Sequence, residues 1–261
     1  MKKIRITLVA VSMFTFSFSF AQSMLKIQGD LEAHYQLVDY WRSRFNMDSA
    51  SSEDEILKGK LLSYVNTYPS TMKETFKYLK YYDHLTVLTS DDKAFRIYSW
   101  DDGNAEHPNF INVFQYTNNG KTEGALSIEG RDANVLKGRE YRNMYTFKTK
   151  ARVYYLVTYL VPSTAKENYS IGMDVYARDP KGGLNDTTQI IVNDTYGTAV
   201  NNIEYHLANA SGATNHSIYF NTENKMLYVP IIWNDGVVST AYTMYRYKNN
   251  YFTEVKDIVK K

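Results

Sequence analysis

Cysteine is absent from all 261 residues. Without a thiol there is no disulfide framework, no thiolate metal site, no cysteine nucleophile and no cysteine for lipid attachment. Charge of one sign is also scarce. The formal net charge is +2, and setting aside Lys2, Lys3 and Arg5 at the start of the chain takes it to −1. A near-neutral chain has no electrostatic footprint for nucleic acid or an anionic membrane surface. There is no His-Glu-x-x-His helix, no Gly-x-Ser-x-Gly elbow and no glycine loop to cradle a phosphate. No metal site and no cofactor is expected from any motif. After Phe20 no run approaches the roughly 18 apolar residues of a spanning helix, so no membrane span is expected beyond the leader.

The leader is the clearest positive signal. Lys2, Lys3 and Arg5 precede a mostly apolar run from Ile6 to Phe20, and Ser19-Phe20-Ala21 places small residues at a cleavage site before Gln22. This pattern predicts a secretory signal peptide over residues 1–21 and export to the periplasm or the cell exterior. The remaining 240 residues suffice for one large domain or two small ones. A chain of that length buries roughly 70% of its unfolded surface, so its core can hold it without covalent staples.

Two periodicities divide those residues. Over 22–83 the pattern is helical: Leu31, Tyr35, Val38, Trp41 and Phe45 form one stripe, and Leu57, Leu61, Tyr64 and Tyr68 form another. Ser52-Glu53-Asp54-Glu55 reads as a capping box, and Pro69 stops the second helix. Thr71 with Glu74 predicts a third helix bearing Met72, Phe76, Leu79 and Tyr82. Over 84–261 the period becomes two. Strands are expected at Leu85–Leu88, Phe95–Trp100, Ile111–Tyr116, Tyr141–Lys148, Arg152–Val161, Tyr169–Ala177 and Thr188–Val192. More follow at Ile203–Leu207, Ser217–Phe220, Met226–Ile232, Thr240–Tyr247 and Tyr251–Val255. Short connections such as Asn118-Asn119-Gly120, with no helix between strands, favour antiparallel pairing. The expected class is α+β: a short helical part, then an antiparallel β region built as a sandwich or a propeller-like meander. Tyrosine is the compositional outlier, with 24 residues against 12 Phe and 3 Trp. It suits strands with one buried face, and it can also furnish a platform for a flat ligand.

The densest polar cluster follows the second strand. Trp100, Asp101, Asp102, Glu106 and His107 are the candidate ligand-binding residues; their carboxylates and imidazole could bind a cation or work as an acid/base pair. The alternating oxygens of a calcium loop are absent there, and Asp-Asp and Asp-Gly are turn formers in their own right. Glu204, His206 and His216 make a second, weaker constellation. The run Phe95-Arg96-Ile97-Tyr98-Ser99-Trp100-Asp101, with Tyr68-Pro69 before it and Gln115-Tyr116 after it, resembles a group of secreted bacterial proteins of unknown function. That resemblance implies a shared fold and supplies no catalytic residues.

Two functional readings remain. The preferred one is a non-enzymatic envelope module that binds a glycan or another envelope protein on a Tyr/Trp-lined sheet surface. The alternative is a secreted glycan hydrolase using paired carboxylates, which need lie only about 5–9.5 Å apart in space.

Overall fold

The computed structural model describes residues 24–76, 79, 85–101, 110–126, 138–162, 169–179, 183–185, 188–193, 198–207, 217–233 and 236–260. The chain divides into two compact units, Met1–Asp83 and His84–Lys261. The leader, residues 1–21, lies outside the described residues. The class is α+β: two N-terminal helices precede mostly antiparallel, sandwich-like sheets.

Residues 24–43 form α1, which buries Ile27, Leu31, Tyr35 and Val38 along one face. Met47–Thr67 forms α2, which buries Ala50, Leu57, Leu61 and Val65. Only residues 44–46 separate the two helices, and Asp30, far from that turn on α1, meets Lys60 and Tyr64, far from it on α2, so they form an antiparallel hairpin. Asp30 bonds Lys60 and Tyr64, His34 bonds Glu53, and Arg42 bonds the buried Asp54. The break between the helices is shorter than the sequence suggests. Asn46 donates its backbone N–H to the Trp41 carbonyl at 3.0 Å, and its side chain accepts from the Ser49 N–H at 3.1 Å. That cap starts α2 at Met47. Ser52, Glu53 and Asp54 therefore fall inside the helix, and the two acids serve α1 instead of a capping box.

The expected third helix does not begin at Thr71; of its later part only Leu79 is among the described residues, and Tyr82 lies outside them. Pro69–Lys73 is a 3-10 turn, and residues 74–76 are not helical. The Thr71 hydroxyl donates back to the Tyr68 carbonyl, and the Glu74 carboxylate accepts from the Thr75 N–H. Neither residue is left to cap a helix. Met72, Phe76 and Leu79 are nonetheless buried.

The hairpin has a defined pH window. Burial works against the Asp30 charge, but Lys60 and Tyr64 hold its carboxyl below the ordinary 3.8. Burial, together with the bond to Asp30, pushes the Tyr64 hydroxyl up to about 12 from 10.0. The depressed carboxyl contributes stability above its unfolded value and loses it as pH falls through the folded value. The raised hydroxyl contributes below pH 10.0 and loses its contribution as pH rises through about 12. Helicity followed in denaturant should weaken at both ends, and Tyr64→Phe should abolish the alkaline limb and shrink the acid one, which Lys60 still supports. An alkaline limb unchanged by that substitution places the titration elsewhere.

The β unit contains three sheets among the described residues. The first is the meander β1 (Leu85–Thr89), β2 (Phe95–Asp101), β3 (Phe110–Asn118) and β4 (Lys121–Ala125). Its last hairpin turns through Asn119 and Gly120, at φ 48° and 76°, as Asn-Gly turns do. The second sheet comprises β5 (Glu140–Lys148), β6 (Val153–Pro162), β7 (Tyr169–Arg178) and β11 (Asn202–Leu207), with the short β8 (Leu184–Asn185) on β7. The third has six strands in the order β10 (Thr198–Val200), β9 (Ile191–Asn193), β15 (Tyr251–Lys260), β14 (Val238–Lys248), β13 (Met226–Ile232) and β12 (Tyr219–Asn221). One pairing, β15 with β9, is parallel. In the expected strand at Thr188–Val192 only the end pairs, from Ile190 onward, while the Thr188 hydroxyl donates to the Asn185 side chain.

The second sheet is the middle layer. Along β6, Tyr154 and Leu156 pack with Phe220, Leu227 and Phe252 of the six-stranded sheet. The alternate residues Tyr155, Val157 and Tyr159 pack with Phe95, Ile97 and Phe114 of the first. Both faces are therefore buried, which accounts for the continuous apolar run of β6. Stacking of sheets through shared cores is sandwich geometry, not the radial blades of a propeller.

Candidate functional site

Trp100, the first of the sequence candidates, lies on β2 with 1% of its surface exposed. It is a core residue, so it cannot be a stacking platform. Asp101 ends β2, half-buried and paired with Phe110. Asp102, Glu106 and His107 lie outside the described residues, as does His216.

Asp101 nevertheless marks a chemically dense place. The carbonyl of its partner Phe110 accepts from the Gly138 N–H, and the next residue is Arg139. The Asn112 side chain donates to the Arg139 carbonyl at 3.0 Å. The Arg139 side chain forms an ion pair with Asp174 on β7, a carboxylate with no exposed surface. The Tyr141 and Tyr176 hydroxyls donate to the same Asp174 oxygen at 3.1 and 3.3 Å. The Arg139 guanidinium also lies 4.2 Å over the Tyr159 ring, whose hydroxyl donates to Glu204 at 2.7 Å.

Burial opposes the Arg139 charge, but the Asp174 carboxylate, with Tyr159 and Tyr141, together outweighs it and raises the guanidinium's affinity for its proton. Burial, reinforced by the Asp174 charge, pushes the Tyr141 and Tyr159 hydroxyls far up, so both remain neutral donors. Every Asp174 contact is internal. A carboxylate sealed and neutralised in this way can neither protonate a leaving group nor reach a sugar. The network is a structural clamp between the first two sheets. Its half-exposed outer member, Glu204, shares β11 with His206, which contacts the Ser170 hydroxyl at 3.0 Å. Among the described residues no group of three His, Asp or Glu is placed to hold a metal ion.

Tyrosine does most of its work inside. Among the described tyrosines, only Tyr40 and Tyr251 are classed as exposed. The aromatic group lying outside both cores is on the six-stranded sheet. There Phe220, Leu227 and Tyr245 point to the middle layer, so the alternate residues Tyr219, Tyr228 and Met244 share the opposite face, where Met244 and Tyr242 are buried and Tyr219 and Tyr228 half-buried. The Tyr219 and Tyr228 rings stack at 4.5 Å with planes 5° apart, and Tyr242 meets Tyr219 edge-on at 5.5 Å. The adjoining turn carries Asn221, Glu223 and Asn224, and the Asn224 amide donates to the Tyr228 hydroxyl at 3.0 Å. Sequence reasoning missed this cluster because Tyr219 and Tyr228 become neighbours only through strand register.

The fold and these sites therefore define an α+β protein with a three-sheet β unit. No protein-family model matches the chain, and no curated protein or solved structure does.

Proposed function

We propose that this is an exported envelope protein, a non-enzymatic module that binds a glycan at the β12–β13 hairpin. The observation that carries the reading is the half-buried Tyr219–Tyr228 stack beside an exposed, amide-bearing turn, on the sheet face turned from the middle layer and at its edge strand. Aromatic rings take the apolar faces of sugars, and nearby amides and carboxylates take the hydroxyls. The leader pattern supports export. The hydrolase alternative draws nothing from Asp174, which is engaged with Arg139.

A glycan-array screen run beside hydrolysis assays on the same glycans tests the reading. The intact chain should bind at least one glycan without cleaving it. Tyr228→Ala should weaken that binding roughly tenfold, the scale of an interface anchor, while melting remains cooperative. Turnover of any bound glycan, or binding indifferent to Tyr228, overturns the reading.

A further inference from the structure

The turn joining α1 to α2 holds a residue that neither backbone preference nor packing explains. Phe45 has φ 56°. The Phe45 N–H bonds the Arg42 carbonyl and the Asn46 N–H bonds the Trp41 carbonyl, which together make a Schellman turn. Its left-handed position is the one glycine fills with least strain. Among the described residues six other non-glycine positions have positive φ, and the asparagines 119, 249 and 250 are of the type that tolerates it. Lys93 and Lys225 lie in strand-connecting turns, and Phe76 has its ring fully buried, which offsets the backbone strain. Phe45 has no such offset, because it is 92% exposed.

The flanking turns display more of the same chemistry. Leu37, Tyr40 and Met47 are exposed. The Arg44 guanidinium lies 5.4 Å over the Tyr40 ring, which meets Trp41 edge-on at 5.0 Å. We propose that this tip is a membrane-surface anchor, with Phe45 and Met47 entering the acyl boundary of a bilayer. Tyr40, Trp41 and Arg44 then lie at headgroup level, where amphipathic rings and long cationic stems are favoured. The tip is a tight, convex turn, and a bilayer needs no complementary pocket to receive it. It has no positive surplus, since Asp54 neutralises Arg42, and Asp39 and Asp48 stand against Arg44. Attachment is therefore apolar, suited to zwitterionic lipid and insensitive to salt. This anchor is independent of the glycan reading.

The absence of cysteine makes a local test direct. Met47→Cys in the full chain, labelled with a polarity-sensitive dye, is mixed with phosphatidylcholine vesicles carrying brominated acyl chains. The label should enter lipid and be quenched, while the same label at Ile56→Cys, also exposed on α2, stays aqueous. Adding Phe45→Gly should reduce partitioning of the tip about tenfold or more. It should also hold or raise the melting temperature, because the left-handed strain is relieved. The leader's apolar run acts equally on both chains, so only the label's surroundings are read. A label at position 47 that stays aqueous, or is quenched equally with Phe45→Gly, overturns the proposal. A label that becomes buried with rising protein concentration and no vesicles assigns the tip to a second copy, and also overturns it.

Discussion

Asp174→Asn should destabilise the β unit by about 2–4 kcal/mol, because it leaves the buried Arg139 charge only the half-exposed Glu204 carboxylate at 3.7 Å as a counter-ion. Asparagine keeps an acceptor oxygen for the Tyr141 and Tyr176 hydroxyls, so the loss isolates the charge of the Arg139 pair. Arg139 cannot escape by shedding its proton, and its guanidinium is tied down over the Tyr159 ring. The double substitution Arg139→Met with Asp174→Leu should recover much of the loss, because well-packed apolar groups can replace a buried ion pair at little cost. Urea denaturation of the native chain, Asp174→Asn and the double variant measures both effects. A loss below about 1 kcal/mol for Asp174→Asn would mean that water or another group compensates Arg139.

How far the sequence foretold this arrangement depends on the layer. The outer strands were legible. Met226–Ile232 forms a strand as its apolar run predicts, with Leu227 and Val229 buried on one side and Met226 and Pro230 on the other, beside a half-buried Tyr228. The helical stripes were legible too, but the helix ends were not. Asn46 and Ser52 are both good cap residues, and only the turn geometry at Trp41–Asn46 decides between them. The middle sheet hid the clamp most completely. β6 and β7 are buried on both faces, so alternation carries no information about which neighbour faces which layer. Arg139 and Asp174 are 35 residues apart and meet only after β5, β6 and β7 pair. Trp100 shows the complementary difficulty. A large aromatic on a strand beside an acidic turn reads equally as platform or core, and burial alone separates the two.

Gly172 lies where the clamp and the sheet meet. It pairs with Tyr159 across β6 and β7, and the tyrosine ring lies over it. A Cβ added at Gly172 would stand 2.2 Å from Cζ of Tyr159 and 2.4 Å from its hydroxyl oxygen. In most sheets the side chain opposite would rotate aside, but this ring is held on two sides. Arg139 covers its face, and Glu204 accepts its hydroxyl proton. Gly172→Ala should therefore cost about 1–3 kcal/mol although alanine is the smallest possible addition, and Gly172→Val should cost more. The cause is the ring, so its removal should cancel the effect. In a Tyr159→Leu background, Gly172→Ala should be within about 0.5 kcal/mol of neutral, because alanine restrains the unfolded chain more than glycine does. Tyr159→Phe keeps the ring and loses only the bond to Glu204, so there the penalty should persist. Equal penalties in the Tyr159→Leu and native backgrounds would show that the backbone of β7, not the overlying ring, demands glycine.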